Sequence, residues 1–327
     1  MDALQTPYDC VVVGGGAAGL SAALVLGRAR RRTLLVDVGR QSNLPAHGIG
    51  GLLGHDGRPP SALYALGREE LAKYPSVTVR DGEVVRGAHG GDDDAPFTLT
   101  LADGTVEHAR RVILATGMDY RFPDLPGAAE RWGATVFHCP FCHGWEVREQ
   151  PLGVLDDGAS GVHRALLLRM WSDDVTLLTD GPTTLTDDER AQLDGAGVTV
   201  DEREVAALTG AAPQLDGVRF ADGTERPVRG LLVPITLHQR SPLAGQLGAT
   251  AADAGPLSPA PVAIDAMGQT AAEGVVAAGD VTAEMPAVAN AIAAGSRAAA
   301  KVVQSLLAEL GTPAPAAAAA GAAPSGA

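Results

Sequence analysis

The 327-residue sequence predicts an α/β protein, because one strand–turn–helix–strand unit occurs twice in it. Residues 10–37 form the first unit. A similar unit starts near residue 152, about 142 residues later, with a one-residue slip near its second strand. Short apolar runs such as 11–13 are typical of strands buried in a parallel sheet. Hydrophobic residues make up 46% of the chain, so a sizeable core can be buried.

The first unit carries the glycine pattern of a dinucleotide site. Gly14, Gly16 and Gly19 form G-x-G-x-x-G directly between an apolar strand and a helix. The first glycine permits the turn, the second lets the backbone approach a pyrophosphate, and the third lets helix and strand pack. Asp37 ends the next strand, where an acid would hold a ribose hydroxyl. We therefore predict a Rossmann-like dinucleotide-binding fold; the alternative is a glycine turn that serves packing alone.

Two later segments predict further parts of the same fold. RVILATG (111–117) predicts a buried strand, and GVVAAGDVT (274–282) predicts a strand that ends in an acid, Asp280. A small-residue helix is expected from about Pro286 to Leu310. The remaining residues, 311–327, have no apolar periodicity and are predicted to be a disordered tail.

A Cys-x-x-Cys pair, Cys139 and Cys142, lies in the stretch FHCPFCHGWE. Thiol–disulfide exchange needs a thiolate near neutral pH, and a Cys-x-x-Cys at a helix start has a lowered thiol pKa. His143 follows Cys142 directly and is able to exchange protons at physiological pH. We favour a redox-active pair, with Cys139, Cys142 and His143 as catalytic candidates and His138 as a possible one. An inert buried pair is an alternative.

Metal binding is the other interpretation of the cysteine pair. A structural zinc site needs about four ligands, and the pair supplies two. The remaining cysteine, Cys10, lies in the first strand, and the flanking histidines are very close to the pair in sequence. A site completed by His238 stays open, but we predict no metal.

The second glycine loop differs from a working dinucleotide loop. It reads VLDDGASG, so that Asp156 replaces the first glycine and Asp157 follows it, while Gly158 and Gly161 remain. A carboxylate beside a pyrophosphate opposes binding by like-charge repulsion and crowds the site of close approach. We predict that the fold persists here without its nicotinamide site. Asp180 leaves a weak NADH site open as an alternative.

Charge and composition exclude several partners. The net charge of −14 argues against nucleic acid and against an anionic membrane surface. No apolar run approaches the ~20 residues needed to cross a bilayer, and the N-terminus has no signal-peptide pattern. Three cysteines do not make a disulfide framework. We expect a cytoplasmic protein with a small-molecule partner.

The order of these motifs resembles that of low-molecular-weight thioredoxin reductases over roughly residues 8–310. In that family an Asp commonly follows the second cysteine, whereas this sequence has His143 there. The stretch CPFCHGWE looks like the branch of dithiol oxidases that close disulfides in natural products such as gliotoxin and holomycin. The resemblance implies an FAD cofactor and a homodimer.

The resemblance also implies roles for individual residues. Cys142 would face the flavin, Cys139 would exchange with substrate, and His143 would move the proton. Asp280 would bond the flavin ribitol, with a helix cap as its alternative role. His47 and His55, in the loop 42–60, could touch the ring or the substrate, although we interpret them as exposed loop residues. The implied cofactor residues are Gly14, Gly16, Ala18, Gly19, Asp37, Asn43, Thr116, Gly117, Asp280, Ala287 and Val288.

These expectations combine into one domain organisation and one reaction. Residues 1–117 and 242–310 would form the FAD domain, and residues 118–241 an inserted, degenerate NAD(P)-like domain with the cysteine pair. Electrons would pass from a small-molecule dithiol through the pair and the flavin to O2, releasing hydrogen peroxide. The alternatives are a thioredoxin reductase linked to NAD(P)H or ferredoxin, and a non-catalytic flavoprotein redox sensor.

Overall fold

The computed structural model describes residues 6–90 and 95–311, and the predicted tail lies outside them except for Gly311. The strands are β1 (Cys10–Val13), β2 (Thr33–Asp37), β3 (Val77–Asp81), β4 (Val84–His89), β5 (Phe97–Leu101), β6 (Val106–Ala109), β7 (Val112–Leu114), β8 (Met118–Arg121), β9 (Val136–Phe137), β10 (Leu152–Leu155), β11 (Val175–Leu178), β12 (Val198–Asp201), β13 (Val205–Thr209), β14 (Gly217–Phe220), β15 (Glu225–Pro227), β16 (Gly230–Leu232), β17 (Thr236–Gln239) and β18 (Val275–Ala277). The α-helices are α1 (Ala17–Arg28), α2 (Pro60–Leu71), α3 (Pro140–His143), α4 (Gly158–Leu168), α5 (Asp187–Gly195), α6 (Leu243–Gln246) and α7 (Val288–Ser305).

The first parallel sheet has the strand order β18-β7-β1-β2-β3. Its central strands are fully buried because both faces of the sheet are covered. Helices α1 and α7 pack on one face, and the strands β4, β5 and β6 pack on the other. β18 comes from the C-terminal part of the chain, so the chain passes through the second sheet before it completes the first.

The second parallel sheet has the order β12-β11-β10-β16-β9 and its own apolar core. Its β10 and β11 start 142 residues after β1 and β2, which confirms the internal repeat, and the α/β class with two Rossmann-like folds is confirmed. The one-residue slip between the two units that the sequence places near the second strand is wrong. The units differ by one residue at the start of the helix instead, because the strand-to-helix turn has three residues in the first unit (14–16) and two in the second (156–157).

A two-stranded antiparallel ribbon, β8 with β17, connects the parts of the chain that form the two sheets. Arg240, the residue after β17, forms an ion pair of 2.8 Å with Asp119 and donates to the carbonyl oxygen of Met118 at 2.9 Å. Two three-stranded antiparallel sheets, β4-β5-β6 and β13-β14-β15, complete the fold. No described helix is long and apolar enough to cross a bilayer.

Candidate active site

The glycine loop after β1 forms a cradle in which close contacts require glycine at Gly14 and Gly19. Gly14 has a φ of +110°, and a Cβ there would overlap the carbonyl oxygen of Ala115. A Cβ at Gly19 would overlap the carbonyl oxygen of Gly14. Gly16 is the N-cap residue of α1, and no side chain caps the first N–H groups of that helix. The exposed N–H groups and the positive helix end fit a pyrophosphate.

Asp37 lies at the end of β2, as predicted, and its carboxylate is already extensively bonded. It accepts hydrogen bonds from the backbone N–H groups of Gly15 and Gly39 at 3.2 and 3.0 Å. It also forms an ion pair with Arg68 at 2.6 Å and accepts from the amide of Gln41. Arg68 and Gln41 were not predicted from the sequence, because they come from other elements and match no motif.

Thr116 and Gly117 follow β7 directly, and Ala115 before them touches the cradle glycine. Gly117 has a φ of +66°, which explains the glycine there. Ala18 is buried, and its carbonyl oxygen lies where a Cβ at Gly295 would be placed. The side chain and the carbonyl of Ala18 therefore serve the packing of α1 against α7, while its N–H belongs to the first turn of α1.

Asp280 follows β18 and is largely buried, which raises the pKa of its carboxyl above the usual range. The hydroxyl of Tyr120 donates to Asp280 Oδ2 at 2.7 Å. Ala287 is the N-cap residue of α7 and Val288 begins that helix, so both lie at a helix N-terminus as predicted. This part of the site can present one acid and one helix end to a bound group.

Asn43 lies in the loop 42–60, and its Oδ1 accepts a hydrogen bond of 2.7 Å from the Tyr64 hydroxyl. The burial of Tyr64 raises the pKa of its hydroxyl to about 12. The same loop reaches the cysteine segment, since a Cβ at Gly50 would lie 2.6 Å from the carbonyl oxygen of Cys142. The loop that follows the first βαβ unit thus packs directly against the candidate redox pair.

Cys139 and Cys142 form a disulfide with their Cα atoms 5.3 Å apart. Cys139 is the N-cap residue of α3 and Cys142 lies inside that helix, with Pro140 as its first residue. α3 has four residues, so the helix start expected from the sequence is a single turn. The side chain of Phe141, between the cysteines, is mostly exposed. The pair therefore packs against the loop 42–60, and the side chain between its two cysteines is exposed.

His143 is buried beside the pair, and its ring stacks on Phe137 with the ring centres 5.6 Å apart. Both ring nitrogens are buried without a hydrogen-bond partner in the described part of the chain. Burial lowers the pKa of His143, an effect that Glu146 and the carbonyls of Cys139 and Gly133 oppose. The ring is therefore neutral at physiological pH, which is the form that accepts a proton.

His138 lies on the other side of Cys139 in an aromatic stack. Its ring centre is 5.8 Å from that of Trp132 and 5.3 Å from that of Tyr120. Phe122 stacks on the far face of Trp132 at 4.3 Å. Burial lowers the pKa of His138 to about 4. These contacts give the His138 ring a packing role that the sequence left open.

The two histidines of the loop 42–60 have different surroundings. His47 is exposed, as interpreted from the sequence, and is close enough to oppose protonation of His143. His55 is partly buried, and its Nδ1 has no partner among the described residues. Over residues 6–90 and 95–311, no three His, Cys, Asp or Glu side chains are arranged to hold a metal ion.

The second strand-to-helix loop is filled by its own acids. Asp156 pairs with Arg164 and accepts from the Ser160 hydroxyl at 2.9 Å. Asp157 accepts from the Thr183 hydroxyl and from the N–H and hydroxyl of Thr184 at 3.0 and 2.9 Å. Desolvation is the largest single effect and raises the pKa of Asp157, but these hydrogen bonds together outweigh it and lower the pKa to about 2. The loop carries fixed negative charge where the first unit has a bare glycine cradle.

Asp180 follows β11 and lies one residue beyond the position that corresponds to Asp37 in the first unit. Its φ is +56°, and its Oδ1 accepts a hydrogen bond of 2.7 Å from the backbone N–H of Val205. Its carboxylate is thus bonded within the protein, as that of Asp37 is. The second unit retains the Rossmann-like fold, but acidic side chains occupy the loop that glycines line in the first unit.

Comparisons with known proteins agree with this geometry. Residues 8–295 match the pyridine nucleotide-disulphide oxidoreductase family. The chain is 30% identical to the thioredoxin reductase sirT of Leptosphaeria maculans, over 88% of this chain and 91% of the relative. It is 31% identical to the thioredoxin reductase tcpT of Claviceps purpurea, over 92% and 95%. The solved structure of HlmI is 41% identical, with a TM-score of 0.86, over 93% of this chain and 94% of that one.

The family match spans most of the chain, and two relatives reach the identity and coverage at which family membership is secure. The chain belongs to the pyridine nucleotide-disulphide oxidoreductase family, a group of flavin-dependent enzymes, and is a thioredoxin-reductase-like thiol/disulfide oxidoreductase.

Proposed function

We propose that this protein is an FAD-dependent dithiol oxidase that forms a disulfide in a small-molecule substrate. The observation that carries the proposal is the contrast between the two nucleotide loops. The first is a glycine cradle, whereas the second is occupied by Asp156 and Asp157 and their partners. This contrast supports the loss of the nicotinamide site, so that electrons would enter as thiols at Cys139–Cys142.

The FAD domain would comprise residues 1–117 and 242–310, and the inserted NAD(P)-like domain residues 118–241. The pairing of β8 with β17 supports these boundaries, because the ribbon lies where the chain leaves and re-enters the first domain. FAD would be held by the eleven residues implied above, with the pyrophosphate at the glycine cradle. FAD bound there supplies a two-electron relay between the cysteine pair and O2.

The chemistry of the chain's own residues follows from their positions. A substrate thiolate attacks Cys139 Sγ, the Cys139–Cys142 bond breaks, and Cys142 leaves as a thiolate. His143, neutral and buried, accepts the proton of the attacking thiol. The second substrate thiol attacks the mixed disulfide and releases oxidised product. In sum the substrate loses two electrons and two protons, and O2 gains both to become hydrogen peroxide.

The second candidate is a nicotinamide-linked thioredoxin reductase, which the names of the two fungal relatives favour. One experiment separates the two functions. The oxidised holoprotein is mixed without oxygen with NADPH, with NADH or with a small dithiol, and the flavin absorbance is followed. We expect bleaching by the dithiol alone, then reoxidation by air with one peroxide per cycle. Rapid bleaching by NADPH would overturn the proposal.

The path through the cysteines is tested with two single variants. Cys142→Ser should abolish bleaching by dithiol, because the serine oxygen cannot form the disulfide that accepts electrons. Cys10→Ala is the matched control, since Cys10 is buried in β1 and takes no part in the path. Bleaching retained in Cys142→Ser would show that electrons reach the flavin by another route. We further propose that the protein is cytoplasmic and that it forms a homodimer. Sedimentation of the holoprotein would test the homodimer.

A further inference from the structure

Tyr120 lies on β8, in the ribbon between the two sheets, and its side chain is largely buried. Its hydroxyl donates a hydrogen bond of 2.7 Å to Asp280 Oδ2, which belongs to the segment after β18. Among the described side chains, Tyr120 is the one that donates a hydrogen bond to this carboxylate. It occupies one oxygen of the acid, so a bound hydroxyl group would use the other.

The ring of the same tyrosine contacts the cysteine segment. Its centre is 5.3 Å from that of His138, the residue before Cys139. Phe122 follows the last residue of β8 and stacks on Trp132, with the ring centres 4.3 Å apart. Trp132 in turn stacks on the His138 ring, with the ring centres 5.8 Å apart. Tyr120 directly, and Phe122 through Trp132, thus support the residue that precedes the cysteine pair.

Ring packing alone does not explain why residue 120 carries a hydroxyl group. A phenylalanine would make the same ring contacts, whereas a buried hydroxyl is unfavourable unless it is hydrogen-bonded. Its partner is a buried carboxyl whose charged form is opposed by burial and favoured by the Tyr120 bond and by Arg240. Loss of this donor would leave the acid less well oriented and less readily ionised.

We propose that Tyr120 is a positioning residue that couples the two halves of the reaction site. Its hydroxyl orients Asp280 toward the bound flavin, and its ring fixes His138 and with it Cys139. The inference rests on the proposed function, since it assigns Asp280 to the flavin. It adds a side chain, absent from every motif in the sequence, that contacts both the flavin side and the thiol side.

Two substitutions separate the two contacts. Tyr120→Phe removes the hydroxyl and keeps the ring, so FAD binding should weaken about 10- to 100-fold, as expected when one hydrogen bond to a charged acceptor is lost. Its anaerobic bleaching by dithiol, measured at saturating FAD, should keep the wild-type rate. Tyr120→Leu removes both contacts and should also slow that bleaching at least about tenfold, because Cys139 is less well held.

The measurements are FAD affinity by fluorescence titration of the flavin-free chain, the flavin absorption spectrum, and the anaerobic bleaching rate. Tyr74→Phe is the matched control, because its hydroxyl contacts only Arg28 on the surface in the described chain. Unchanged FAD affinity in Tyr120→Phe would overturn the assignment of the hydroxyl. Equal bleaching rates in Tyr120→Leu and wild type would overturn the role of the ring. If wild-type protein binds FAD but dithiol does not bleach it, the proposed function fails instead.

Discussion

Two histidines flank the disulfide, and burial affects both in the same direction while their contacts differ. His143 has no hydrogen-bond partner for either ring nitrogen within the described chain and stacks on one ring, Phe137. His138 is held between Trp132 and Tyr120. Because neither ring nitrogen of His143 is engaged, this ring is able to exchange a proton with a thiol beside it, whereas the two ring contacts of His138 mainly fix the backbone next to Cys139. The two residues therefore have separable effects on rate and on stability.

The first residue-scale prediction concerns the pH dependence of turnover. Because the pKa of His143 lies below its usual range, the neutral form persists into mild acid. We expect kcat/KM with dithiol to rise with pH through a pKa below about 6.5 and to level off near neutrality. His143→Gln should lose this acid limb and about 10²- to 10⁴-fold in rate. His163→Gln, an exposed histidine of α4, should behave as wild type; an acid limb retained in His143→Gln would contradict the assignment.

The second residue-scale prediction concerns stability. The pKa of His138 falls from 6.5 in the unfolded chain to about 4 in the folded protein, so the unfolded state binds more protons between these pH values. The free energy of unfolding should therefore fall as the pH drops from 6.5 to 4, by at most about 3 kcal/mol from this group. His138→Phe should remove that part of the pH dependence in urea unfolding. An unchanged slope would show that the ring is not buried in its neutral form.

At the scale of elements, the contact of α1 with α7 places the two helix ends of the proposed cofactor site. A Cβ at Gly295 would overlap the carbonyl oxygen of Ala18. Any residue other than glycine at position 295 would therefore force the two helices further apart. The N-termini of both helices, at Gly16 and Ala287, depend on this packing. The small-residue composition of α7 is explained by this close approach.

Gly295→Ala tests this packing. Forcing α1 and α7 apart should lower the free energy of unfolding by about 1–3 kcal/mol and reduce FAD retention. Gly245→Ala is the control: this glycine lies in α6, and a Cβ there would meet no atom within 4 Å. The control should be neutral or slightly stabilising, since alanine is the better helix former. Equal urea midpoints for the two variants would contradict the close-packing argument.

At the scale of the whole molecule, the cysteine pair belongs to the segment 118–241 but acts against the loop 42–60. Gly50 packs on the carbonyl of Cys142, and Gly133 packs on the backbone of Ala46. Arg240 pairs with Asp119 across the connecting ribbon. These contacts hold the second sheet in the orientation that places the disulfide against the loop 42–60.

Gly50→Ala tests that orientation. The added Cβ would lie 2.6 Å from the carbonyl oxygen of Cys142, so α3 must move away from the loop. We expect FAD content close to that of wild type and bleaching by dithiol slowed at least about tenfold, because small misplacements of reacting groups are costly. Gly195→Ala, at a helix position with no atom within 4 Å, serves as the control. A wild-type bleaching rate in Gly50→Ala would argue against close approach of the pair to the loop.

Local patterns were sufficient for much of the fold and part of the site. The glycine loop, the strand ends at Asp37 and Asp280, and the Cys-x-x-Cys are each defined by a few consecutive residues, and local sterics dictate their conformation. The position of the one-residue slip was misjudged because turn length is set by how the helix docks on the sheet. The start of α7 was placed within two residues.

The sequence by itself determined the α/β class, the repeated unit, the redox pair and the charge in the second glycine loop, because these depend on residue type and short spacing. Tertiary structure alone decided what surrounds them. Arg68 on Asp37, Tyr120 on Asp280 and His138, and Gly50 on Cys142 join residues far apart in the chain. Such contacts arise when separate elements pack into one core, and no local pattern encodes that packing.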